Sequence, residues 1–293
     1  MWRQPIRARR HADFIARKRR ASSSSVVIRV ELLFRLLRHR RTVVIGALAT
    51  VTVAAWAYLL LGAGIEMMDI GGGQMMAMLP AWSPTYALLI STMWWVMMVA
   101  MMLPTAAPTL LSVTSLAWDR LANPNLVPAT ALLFASGYLL VWSGFSLTAT
   151  LLQWGLDSAG LLSEKMAFAN AILTSTVLIA AGVYQWTPLK DTCLRHCRSP
   201  TEFLIRHWQP GSLGAVGTGV RHGLFCLGCC WMLMALLFVG GLMSLAWVGA
   251  IALFVLVEKT MPHGDWISRL GGVFLVVWGV GNLVRMVEPV AVQ

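Results

Sequence analysis

Long apolar runs, separated by short polar or glycine- and proline-bearing breaks, dominate the chain after a polar start. Seven of them lie near residues 43–62, 86–103, 126–154, 166–186, 223–240, 242–257 and 270–287. A helix that crosses ~30 Å of hydrocarbon needs roughly 20 mostly apolar residues, and shorter runs can be accommodated inside a bundle. The run at 126–154 is long enough to tilt, and the run at 242–257 is the shortest. Strict alternation of apolar and polar positions, the mark of a membrane barrel, is missing from the pattern. The expected fold is therefore all-α: a polytopic membrane helical bundle of about seven transmembrane helices.

Composition sharpens this. Of 293 residues, 58% are hydrophobic and only 12% charged, about half the charge of an ordinary soluble chain. The formal charge of +11 belongs to one end: 13 of the 23 basic residues precede Thr42, opposed there only by Asp13 and Glu31. The pattern divides the chain into a basic cytoplasmic arm, 1–41, and a membrane-embedded helical domain, 42–293. Basic loops resist translocation, so the arm sets the N-terminus inside and, with seven spans, the C-terminus outside. Arg120, Lys190, Arg195, Arg198, Arg206, Arg221, Lys259 and Arg269 then fall on inner loops, and only Lys165 and Arg285 fall outside. The arm lacks a signal-peptide core and cleavage site and is expected to be retained. Val26, Val27, Val30, Leu33, Phe34 and Leu37 recur at helical spacing, which suits an amphipathic helix lying on anionic lipid head groups. The charge comes without aromatic interleaving or a binding fold, so no nucleic-acid partner is expected.

All five cysteines lie between Cys193 and Cys230. Cys193 and Cys197 are four apart with His196 between them, and one helical turn brings all three to neighbouring positions. His222, Cys226, Cys229 and Cys230 fall at i, i+4, i+7 and i+8, a single stripe on one helix face. Thiolate with imidazole suits soft or borderline ions, copper first and zinc second, and hard ions would demand carboxylates. Two other readings stand beside this one: small apolar residues packing in lipid, and dithiol redox chemistry through Cys229 with Cys230 or Cys193 with Cys197.

Methionine is over-represented, at 17 residues. Met67, Met68, Met75, Met76 and Met78 cluster between the first two runs. In the second run, Met93, Met97 and Met101 form an i, i+4, i+8 ladder, with Met98 and Met102 beside it. Thioethers are uncharged soft ligands that hold Cu(I) weakly enough to release it, although methionine also fills gaps in helix packing. The ladder is similar to the MxxxM arrangement in the pore helix of eukaryotic copper transporters. Met97, Met98, Met101 and Met102 are the candidate transit contacts.

Glu258 and Lys259 read as an adjacent acid and base at the membrane interface, where Pro262 and Gly264 end a helix. Glu258 and His263 are secondary candidates to complete a metal site. The chain lacks a phosphate loop, a nucleophile elbow and a zincin motif, which argues against nucleotide-driven pumping and, more broadly, against an enzyme.

Four blocks taken together carry a family likeness: Trp94 to Pro104, Tyr184 to Lys190 leading to Cys193 and Cys197, His222 to Trp231, and Glu258-Lys259 with Pro262 and Gly264. They resemble a bacterial family of predicted metal-binding integral membrane proteins. The resemblance implies a multi-pass protein of the bacterial inner membrane. The expected function is binding of a soft transition metal, copper favoured, for transport or delivery to a metallochaperone or metalloenzyme partner. The expected ligands are Cys193, His196, Cys197, His222, Cys226, Cys229 and Cys230. A membrane thiol oxidoreductase and a non-catalytic subunit or assembly factor of a metalloenzyme are the alternatives.

Overall fold

The computed structural model describes residues 42–62, 67–69, 75–77, 81–120, 126–163, 165–261 and 264–287. The basic arm with its expected amphipathic helix, Met78 and His263 lie outside these residues. The described residues from Leu48 onward form one compact unit.

The described chain is helical apart from a two-stranded antiparallel ribbon and one isolated bridge. In chain order it runs α1 (Thr42–Leu60), β1 (Met67–Asp69), β2 (Met75–Ala77), α2 (Pro84–Arg120), α3 (Val127–Ser158), α4 (Ala171–Tyr184), α5 (Pro188–Arg198), α6 (Pro200–His207), α7 (Gly211–Ala235), α8 (Leu237–Gly240), α9 (Leu245–Thr260) and α10 (Gly264–Val287). The methionine-rich segment after α1 supplies the ribbon, in which Met68 pairs with Met76.

Five stretches are long and apolar enough to cross a membrane: Thr42–Leu60, Pro84–Trp118, Val127–Ser158, Gly211–Gly240 and Gly264–Met286. A sixth is reached if α4 and α5, bent by 64° at their break, count as one span. Against the seven expected, five helices among the described residues, or six with the bent pair, are long and apolar enough to cross. The run at 242–257 corresponds to α9, whose 16 residues fall short of a full crossing.

The second apolar run also extends further than its pattern suggests. The run ends at 103, yet α2, 37 residues long, continues through Pro104 and Pro108. Proline is tolerated in a helix packed among other helices, even though it removes one backbone hydrogen bond. Near these prolines, Thr105 Oγ1 and Tyr138 Oη both donate to Met102 O, at 2.8 and 3.0 Å. Helix α2 is the central element, and Ile90, Trp94, Met98 and Met102 on it are fully buried.

Helix α3 packs along α7 on one side of the bundle, and α10 packs along α4 on another. The α3–α7 approach depends on glycine. A Cβ at Gly137 would stand 2.2 Å from Val216 O, and one at Gly219 would stand 2.0 Å from Phe134 O. Backbones this close are the small-residue packing that replaces the hydrophobic effect between helices in lipid. Pressing α7 onto α3 and α2 carries its cysteine face inward.

The bend between α4 and α5 has a local cause. Thr187 caps α5, its hydroxyl accepting from Lys190 N at 3.3 Å, and Pro188 occupies the first turn. The Tyr184 hydroxyl donates to Gly228 O and ties the end of α4 to the middle of α7. Helix α5 thereby turns across the bundle and lays Cys193 and Cys197 against α7.

Candidate metal centre

The four stripe residues of α7 are all buried, with His222 and Cys226 2% exposed and Cys229 and Cys230 1%. Their spacing places them on one face because an α-helix repeats every 3.6 residues. The Cys229 and Cys230 thiols donate to Cys226 O, at 3.0 and 2.9 Å, so both sulfurs turn back toward the preceding turn. From α5, the Cys197 side chain meets those of both Cys226 and Cys229. Cys193 seats its sulfur against the bare Cα of Gly228, where a Cβ would come within 2.7 Å. All five cysteines are free and buried.

The methionine stripe reaches this cluster. Met97, Met98, Met101 and Met102 are 0–2% exposed. The Cys230 thiol lies 3.9 Å from Met102 Sδ, joining positions 128 residues apart in sequence. The last rung of the stripe on α2 and the last cysteine on α7 thus share one buried space.

Two further groups belong to it. Lys259 Nζ donates to Cys226 Sγ at 2.9 Å, and Tyr138 Oη lies 3.1 Å from the same sulfur. An ammonium 6% exposed is costly unless it meets negative charge or good acceptors, and here the sulfur is its partner. Sequence reading assigned Lys259 to the interface because it stands near a helix end beside Glu258, and it left Tyr138 unremarked. The available signal was that each is a polar side chain inside or at the end of an apolar run, which marks function by default.

Glu258 faces the other way. Its carboxylate pairs with Lys190 Nζ at 2.6 Å, both side chains being 1% exposed. Lys190 also donates to Gln185 Oε1, and Ser268 Oγ donates to the same oxygen at 3.0 Å. Consecutive residues of α9 therefore serve two separate polar groups, one at the thiols and one at the α4–α5 bend.

The two expected imidazoles differ in setting. His222 lies within the core, its ring 5.2 Å from that of Phe203 and 5.7 Å from that of Tyr138. Its Nδ1 is buried with no hydrogen-bond partner among the described residues. His196 is half-buried and stacks flat on Phe225 at 4.2 Å and 2°, with Nδ1 against Thr192 O at 2.8 Å. The turn of α5 that directs Cys193 and Cys197 at α7 points His196 to the rim.

Among the described residues, no three Cys, His, Asp or Glu groups stand together as a ready-made ion site. The thiols instead engage the Cys226 carbonyl, one another and the Lys259 ammonium. The donor set of thiols, a thioether and an unpartnered imidazole fits copper(I).

A profile of the copper chaperone family PpoB2 matches residues 91–282, which spans the methionine stripe, every cysteine and Lys259. No curated protein and no solved structure matches the chain.

Proposed function

This chain belongs to the copper chaperone family PpoB2, and from that premise we propose that it is a multi-pass helical membrane protein that carries Cu(I) between a thioether stripe and a buried thiol cluster. Copper is the cargo. Met97, Met98, Met101 and Met102 are its transit contacts, and Cys193, Cys197, Cys226, Cys229 and Cys230 with His222 receive it. The 3.9 Å contact between Met102 and Cys230 carries the reading, because it makes the two soft-ligand sets one continuous lining.

Thioethers bind Cu(I) without charge and release it readily, whereas thiolates bind it tightly, so an ion moves down this lining toward the cysteines. His222 offers a neutral nitrogen whose buried Nδ1 has no other partner. The bundle's long apolar helices support placement in the bacterial inner membrane. The 13 basic residues before Thr42 support an inside N-terminus held near anionic lipid. A soluble metallochaperone or a metalloenzyme would exchange the ion at the α5–α7 end.

Anaerobic Cu(I) titration of the purified chain in lipid nanodiscs, followed by X-ray absorption, tests this. The wild type is expected to bind at least one copper with sulfur scattering, and a Cys226→Ser, Cys229→Ser variant is expected to lose it. Equal copper–sulfur binding by both proteins, or none by the wild type, overturns the proposal.

A further inference from the structure

Beside the thiol cluster, on the rim made by α5 and α6, stand two imidazoles that the copper reading does not use as a pair. The rings of His196 and His207 lie 5.9 Å apart, centroid to centroid. Both are half-buried. His196 Nδ1 meets Thr192 O at 2.8 Å, and His207 Nδ1 meets Phe203 O at 3.1 Å. A carbonyl can only accept, so each Nδ1 carries the proton and each Nε2 carries the free lone pair. Histidine ligands of metals are commonly fixed in this way, one nitrogen tied to a carbonyl and the other left for the ion.

Both rings are also held against rotation. Phe225 stacks flat on His196, and Phe203 stacks on His207 at 5.0 Å and 28°. An ion bonded at ~2.0–2.1 Å to two imidazole nitrogens keeps those nitrogens no more than roughly 4 Å apart, which a centroid separation of 5.9 Å permits. His196 lines an open pocket of about 410 Å³, together with Arg195, Glu202 and Arg206 among others. Arg206 is paired with Glu202 at 2.8 Å and Arg195 with Asp191 at 3.0 Å, so the pocket does not present unpaired positive charge to an incoming cation.

We propose that His196 and His207 form a second metal station, a two-nitrogen site for Cu(I) at the rim of the bundle. The site is separate from the buried thiols and open on its pocket side to a ligand from an exchanging partner. Two neutral imidazoles hold Cu(I) more loosely than thiolates, so the station suits an ion in transit. The inference rests on the copper reading for its choice of ion. It assigns a role to His207, and it moves His196 from the thiol cluster to the rim.

The test uses the full-length chain in detergent. Cu(I) is added stepwise against a chromophoric chelator, and X-ray absorption is recorded at each loading. The wild type is expected to hold one copper with imidazole scattering in addition to its sulfur-bound copper. His196→Asn with His207→Gln is expected to lose that one equivalent and keep the sulfur scattering, which also reports that the cluster has folded. The single variant His196→Asn, at the more open ring, is expected to weaken the nitrogen-bound copper at least tenfold. The station is overturned if the wild type shows no nitrogen-only copper, or if that copper survives in the single and double variants. It is also overturned if His222→Asn removes the signal and the rim variants do not. Nitrogen-bound copper without any sulfur-bound copper would instead refute the thiol reading and leave the station standing.

Discussion

The ammonium of Lys259 lies 2.9 Å from the sulfur of Cys226, both inside the bundle and 33 residues apart in sequence. A cation is therefore already at the thiol that a copper ion would seek. On the proposed reading, ion and lysine would compete for the same sulfur, which would keep the cluster from becoming a sink.

Removing that competitor has a definite sign. Lys259→Met keeps the length and apolar stem of the side chain and takes away its charge. Cu(I) affinity at pH 8 is expected to rise by about tenfold, equivalent to about 1.4 kcal/mol, with slower transfer to a thiol acceptor. Chelator competition and stopped-flow transfer measure the two effects, and a fall in affinity would show that the lysine assists binding.

The link between the stripe and the cluster is tested by Met102→Leu. This swap conserves volume, so its cost in stability should stay below about 1.5 kcal/mol. The exchange of copper into the cysteines should slow severalfold while equilibrium binding at the thiols stays near the wild-type value. Rapid-mixing X-ray absorption separates the two.

The pair of Lys190 with Glu258 is structural. With both side chains 1% exposed, removal of one partner leaves a buried charge, so Glu258→Leu or Lys190→Met alone should destabilise the chain by about 3–5 kcal/mol. Lys190→Met combined with Glu258→Leu should recover most of that loss. Thermal unfolding of the two single variants and the double variant in detergent gives the coupling. Strict additivity would mean that the two groups do not stabilise one another.

Gly219→Ala probes the approach of α3 to α7. The added methyl would stand 2.0 Å from Phe134 O, a contact that only backbone movement relieves. A loss of about 1–3 kcal/mol is expected, with weaker copper–sulfur scattering as α7 shifts. Gly144→Ala on α3, where a methyl meets nothing within 4 Å, is the matched control and should behave as wild type.

Much of the helical content was legible in sequence. Helix positions are set by apolar runs and caps, so α3 and α10 fall close to the runs at 126–154 and 270–287, whereas α7 begins at Gly211, well before its run at 223–240. Bends were not legible, because run length says nothing of them. Residues 166–186 read as one span, yet that stretch leads into the 64° break between α4 and α5.

By itself the sequence determined which residues share a helix face. Backbone hydrogen bonding fixes the 3.6-residue repeat, so His222, Cys226, Cys229 and Cys230 on α7, and the methionines on α2, were aligned before any packing was known. Only the tertiary structure decided which faces meet. That choice depends on backbones approaching at Gly137 and Gly219 and on a bend at Gln185–Thr187. No local periodicity records either event. Through them Met102 comes to Cys230, Lys259 to Cys226, and His196 leaves the thiols for His207.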